Sequence, residues 1–140
     1  MIRRASYLIV LILFLTTTSL FSADSSKESA ALSAAEDWLS LIDNQDYEES
    51  WTQASELFRS AVQSDQWVQS LRVVRKPLGK LISRKLKTKT HTTSLPGAPD
   101  GKYVVIQFET SFENKKTAIE TVTPMIDKDG VWRVSGYYIK

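Results

Sequence analysis

WVQSLRVVRKPLGKLISRKLKTKTHTTS, Trp67 to Ser94, is the stretch in which the chain changes its hydrophobic period. Before Pro77, the residues Trp67, Val68, Leu71 and Val74 recur at helical steps behind a capping Ser64. Pro77 ends that helix, because its ring carries no N–H and disfavours helical backbone in the residue before it. After Pro77 the period falls to two, and Thr, Val, Ile and aromatic residues dominate. The spacing therefore predicts a strand over Leu78 to Ser94, followed by strands over Lys102 to Glu113, Lys116 to Ile126 and Val131 to Ile139. Their connectors carry turn chemistry: Pro96, Gly97, Pro99 and Asp100-Gly101; then Asn114-Lys115; then Asp127 to Gly130. Strands joined this briefly must be antiparallel.

Upstream of Trp67 the helical period holds. Ala31, Ala34, Ala35, Trp38, Leu41 and Ile42 share one face of a helix over Ser26 to Asp43, with Ser25 and Glu28 spaced as a capping box and Asn44 as its left-handed stop. Asp46 caps a second helical segment carrying Tyr47, Trp51, Ala54, Phe58 and Val62. Three helical segments followed by a four-stranded antiparallel meander define an α+β fold, with helices on one face of a curved sheet.

Met1 to Ala23 stands apart from this pattern. Arg3 and Arg4 precede the nine apolar residues Tyr7 to Leu15, and small residues follow at Ser22 and Ala23, which is the form of a secretory signal peptide. Nine residues fall short of the roughly 20 that span a bilayer, although the longer run from Ala5 to Phe21 leaves an uncleaved anchor as the alternative. The expected organisation is a signal peptide over 1–23 and a single α+β domain over 24–140, periplasmic or secreted, with no stable membrane span after cleavage. The chain has 140 residues and no Cys, which excludes a disulfide framework, lipoprotein-type lipidation, thiolate metal sites and a thiol nucleophile. Loss of Arg3 and Arg4 leaves 16 bases against 16 acids. The charges are unevenly placed: residues 24–56 hold nine acids and one base, and residues 57–89 hold nine bases and one acid. A mature domain without net positive charge is not a nucleic-acid binder.

The strings DYEESW (Asp46 to Trp51), VRKPLGKLISRKLK (Val74 to Lys87), SLPGAPDGKYVV (Ser94 to Val105) and ETVTPMIDKDGVWRVSGYYI (Glu120 to Ile139) resemble the bacterial domain of unknown function family 4019. The resemblance covers nearly all of the chain after the signal. It implies an exported protein with a cystatin-like or nuclear transport factor 2-like α+β cone, and it carries over no catalytic or binding residue. The Gln-x-Val-x-Gly hairpin of the cystatin inhibitors is missing.

Strand alternation singles out the residues worth testing. Ile82, Arg84, Leu86 and Thr88 share one face of the first strand, and Ser83, Lys85, Lys87 and Lys89 the other. Ala118, Glu120, Val122 and Ile126 share a face of the third strand. Arg84 and Glu120 thus fall among apolar neighbours and are expected to meet, either as an ion pair fixing register or as the polar floor of a ligand pocket. Trp132, Val134, Gly136 and Tyr138 alternate on the last strand, which makes Trp132 and Tyr138 candidate pocket residues. Lys85, Lys87 and Lys89 form a candidate basic surface, guarding the sheet or meeting anionic polymers.

No constellation for catalysis, metal binding or a cofactor emerges. His91 is the only imidazole, there is no G-x-S-x-G elbow, and Asp127 and Asp129 lack the rest of a calcium loop. The residues favour a noncatalytic envelope module that binds an unknown small ligand or an envelope protein, with homodimerisation open. The alternative is a cone-fold isomerase or hydrolase-like enzyme acting on a small hydrophobic molecule, with Glu120 as base and Arg84 or Tyr138 stabilising an anion.

Overall fold

The computed structural model describes residues 19–140, with side chains from Ser25 onward. The expected signal peptide lies mostly outside the described residues. Four helices come first: α1 Ser19–Asp43, α2 Tyr47–Thr52, α3 Glu56–Ala61 and α4 Ser64–Val74. A 3-10 turn over Lys76–Leu78 leads into β1 Leu81–Thr92, β2 Tyr103–Phe112, β3 Lys115–Ile126 and β4 Trp132–Ile139. The strands pair antiparallel in sequence order, which leaves β1 and β4 as the two edges. This is the α+β meander that the change of period at Pro77 predicts.

The helical half departs from expectation at its ends. α1 begins at least seven residues before Ser26, because nothing between Ser19 and Ser25 breaks a helix and a capping box acts only where the chain cannot continue upstream. The left-handed stop is Gln45, at φ 63°, rather than Asn44. The segment read as one helix from Tyr47 to Val62 is two, divided at Ser55. The Ser55 N–H donates to the Val134 carbonyl at 2.8 Å, and its hydroxyl accepts from the Phe58 N–H at 3.1 Å, so one residue ties the helices to β4 and caps α3. Asp46 and Gln63, at the N-caps of α2 and α4, make no side-chain cap bond, and Val74 is exposed rather than buried.

The core lies between the helices and the inner face of the sheet. Ala31, Ala35, Trp38, Leu39 and Ile42 of α1 pack over Val104, Ile106, Phe108, Val122 and Val134. Trp38 meets the Tyr137 ring edge-on at 5.4 Å, and Phe58 meets Trp67 at 4.9 Å. Buried Ser50 serves both inner indoles: its carbonyl accepts from Trp38 Nε1 at 2.8 Å and its hydroxyl from Trp67 Nε1 at 2.9 Å.

Two bulges reverse the alternation read from the sequence. In β1 the register slips between Leu86 and Thr88, so that Leu86 lies opposite Phe108 and Lys89 opposite the buried Ile106. Lys89 therefore faces the helices, where its ammonium lies 3.8 Å from the Glu28 carboxylate, and does not continue the outward row of Lys85. In β4 the slip falls between the partners of Thr123 and Pro124. Pro124 has no N–H to give a central ladder, so a bulge forms there and the Ser135 hydroxyl takes the Thr123 carbonyl at 2.8 Å. Beyond it, Tyr137 rather than Tyr138 turns inward.

Candidate functional site

Arg84 and Glu120 meet, as the alternation predicts, and they do so inside a larger network. Glu120 is fully buried at the centre of the sheet, opposite Phe108 of β2 and Ile139 of β4. Its Oε1 accepts from Arg84 Nε at 2.7 Å and from the Thr110 hydroxyl at 2.6 Å. Its Oε2 accepts from Arg84 Nη2 at 3.2 Å and from the Tyr137 hydroxyl. A carboxylate offers about four acceptor positions, and all of Glu120's are taken.

The opposite edge of the Arg84 guanidinium grips a second carboxylate. Nη1 donates to Asp43 Oδ2 at 2.7 Å, and Nη2 donates to Oδ1 at 2.9 Å. Asp43 is the last residue of α1, so this double fork clamps the helix end to the sheet. Arg75 joins from behind: its Nη2 lies 3.3 Å from Asp43, its Nη1 donates to the Gly79 carbonyl at 2.6 Å, and its guanidinium stacks 4.4 Å from the Phe112 ring. Two cations and two anions balance. Burial opposes the charge on Arg84, yet the hydrogen bonds to Asp43 and Glu120 outweigh it and hold the guanidinium well above its ordinary range. Burial likewise pushes the Tyr137 phenol well above its ordinary range, and the neighbouring Glu120 charge adds to the effect. Tyr137 thus stays a donor.

Such a site is closed. A general base needs a lone pair within reach of a substrate proton, and Glu120 has neither a spare acceptor nor accessible surface. Tyr138, the expected hydroxyl, lies half exposed on the outer face opposite Thr121, away from the network. Ile82 and Leu86, expected to be buried with Arg84, are exposed at the sheet edge. Asp43 and Tyr137 are the partners that sequence reasoning misses. His91 is exposed near the end of β1, and among the described residues no cluster of His, Asp and Glu could hold a metal ion.

The open site is elsewhere. A cleft of about 760 Å³ runs between α1, α2 and the start of β4. Ala30, Ala34, Trp38 and Leu41 form its helical wall, and Val131, Trp132 and Val134 its strand wall. Asp37 and Glu49 stand on the rim with no cation paired to either among the described residues. The cleft's one cation, Arg133, is already taken: Asp127 holds it at 3.0 Å and Asp129 through two bonds at 2.9 Å, so the last hairpin fastens itself. The hydrogen bonds from Arg133 and the Val131 N–H hold the exposed Asp129 carboxyl below its ordinary range. Of the candidate pocket residues, Trp132 lines this cleft, while Arg84, Glu120 and Tyr138 do not.

Helices on one face of an antiparallel meander, a neutral ion network beneath them whose central carboxylate Glu120 is closed to solvent, and an apolar cleft at one edge together define a small α+β module. The chain belongs to the family described as "Protein of unknown function (DUF4019)", whose profile matches residues 34–137. That range contains both the network and most of the cleft. No curated protein and no solved structure matches the chain. Among the described residues, no helix is long and apolar enough to cross a membrane.

Proposed function

We propose that the chain is a small exported, noncatalytic binding or interaction module of the cell envelope, and that its ligand or partner seats in the cleft between α1 and β4. The observation that carries this reading is the contrast in available chemistry. The cleft offers apolar wall and two carboxylates that no cation balances, one of them bonded only to Gln53, whereas Glu120 and Arg84 spend their hydrogen-bonding capacity on each other, Asp43, Thr110 and Tyr137. The enzymatic alternative, with Glu120 as base, requires that carboxylate to shed partners before it can accept a proton, so the binding role is the simpler use of this geometry.

Native mass spectrometry of the chain recovered from the periplasmic fraction tests the proposal. Loss of the first 22 or 23 residues supports export through a cleaved signal; an intact N-terminus overturns that part of it. A retained small molecule or protein that disappears in Ala34→Trp, which fills the cleft, and persists in Glu120→Gln supports the binding site. A retained partner insensitive to Ala34→Trp overturns it.

A further inference from the structure

We infer that the partner of this cleft is a second copy of the chain, which inserts the apolar and basic edge around β1. The inference rests on the cleft being a binding surface and adds the identity of its occupant. Six large apolar side chains are exposed among the described residues, and two of them, Ile82 and Leu86, lie on the edge strand β1. They share that strand with the exposed Lys85 and Lys87, and Lys80 precedes it; none of the three makes a salt bridge within the described residues. Uncovered aliphatic groups beside unpaired cations give β1 an edge that a partner with apolar and acidic groups complements.

The surface that complements this edge is on the same molecule. A further exposed aliphatic, Val131, lies in the cleft, beside apolar Leu41 and Trp132, the Asp37 carboxylate and that of Glu49, which accepts from Gln53 Nε2 at 2.7 Å and pairs with no cation. Basic and apolar groups on one surface thus answer acidic and apolar groups on the other. The two surfaces cannot meet within one molecule, because strand order β1-β2-β3-β4 places β1 and β4 at opposite edges of the sheet. They can meet between copies. The contact is then heterologous, edge into cleft, and it propagates sideways from molecule to molecule instead of closing as a two-fold dimer. The lysines still oppose direct pairing of two β1 edges, since like charges would face each other.

Sedimentation velocity of the chain as recovered from the envelope fraction provides the test. At low salt the wild type shows a ladder of masses that grows with protein concentration, and added salt returns it toward monomer. Asp37→Lys reverses one of the cleft's two acidic charges and Ile82→Glu removes an apolar contact from the edge; each weakens self-association by about tenfold or more. Mixing the two variants is decisive, because the intact edge of one still fits the intact cleft of the other. One-to-one complexes form and growth stops there, which also shows that both variants are folded. A wild type that is monomeric throughout, or variants whose mixture stays monomeric, overturns the inference. If a foreign ligand in the cleft is then still displaced by Ala34→Trp, the cleft reading survives and only its occupant was misassigned.

Discussion

The sealed network and the open cleft both border α1, yet they use charge in opposite ways. Around Arg84 every carboxylate oxygen of Asp43 and Glu120 accepts a hydrogen bond, and the groups hold the helix end against the sheet. Along the cleft Asp37 and Glu49 face apolar wall with no cation to hold them. The buried charges, conspicuous in the sequence, are saturated by one another, and the surface carboxylates that look like ordinary solvated residues are the ones that no cation balances. Charge on an apolar face signals a partner; whether that partner is internal depends on saturation, which only three dimensions reveal.

The comparison breaks most sharply at Arg84. Arg84→Met strands Glu120 in a site with no accessible surface and is expected to cost about 3–5 kcal/mol in urea unfolding, enough to leave little folded protein. Combining it with Glu120→Met removes the orphaned charge and recovers part of that loss; no recovery would mean the network acts through something other than charge balance. Gly79→Ala is expected to cost about 1–3 kcal/mol, because Gly79 sits at φ 77° and ψ −156°, a region reserved for glycine. An added Cβ there would also lie 2.9 Å from the Glu113 Cβ. The same denaturation experiment reads it, and the strain acts beside the carbonyl that holds Arg75.

Tyr137→Phe removes one donor from Glu120 and keeps the ring on Trp38, for an expected loss of about 1–2 kcal/mol at neutral pH. Its pH dependence sharpens the assignment. The folded phenol ionises well above the unfolded phenol's 10.0, so stability is full below that value and declines as pH rises beyond it. The Phe variant loses this contribution, and its stability falls less steeply above pH 10 in equilibrium unfolding. An unchanged alkaline slope would contradict the buried position of Tyr137. The smallest effect belongs to the cleft: Asp37→Asn and Val131→Ser are expected to change stability by no more than about 0.5 kcal/mol, so any effect on binding stands clear of folding. A large loss of stability in either would mean the rim is holding the fold together.

The fold was legible in the sequence because it rests on local signals. The change of period at Pro77, the turn residues and the helical stripes of Trp38 and Trp67 each act within a few residues. The meeting of Arg84 and Glu120 was also legible, since two charges on apolar faces need each other. Asp43 was not, because it lies at a helix end 41 residues from Arg84 and looks like any terminal acid. Lys89 and Tyr137 were misplaced for a different reason: alternation counts residues, and each lies beyond a bulge that inserts one. Pro124, in a central strand, was the one visible warning of the second bulge. The cleft left no mark on the sequence, because Ala34 and Leu41 belong to the same apolar stripe that forms the core, and only the packed structure separates the covered members from the uncovered ones.

The cleft draws most of its walls from distant parts of the chain, residues 30–41 on one side and 130–134 on the other, with Glu49 of α2 and Gln53 at its C-cap beside them. The sheet pairs only neighbours in sequence, through short turns, so its hairpins close small loops at little entropic cost. Bringing α1 to β4 is the long closure. A chain stalled during synthesis, or clipped near its end, can therefore form hairpins and yet have no cleft. On the proposed reading, a ligand of the cleft meets only finished molecules, and by binding them it draws the folding equilibrium toward completion.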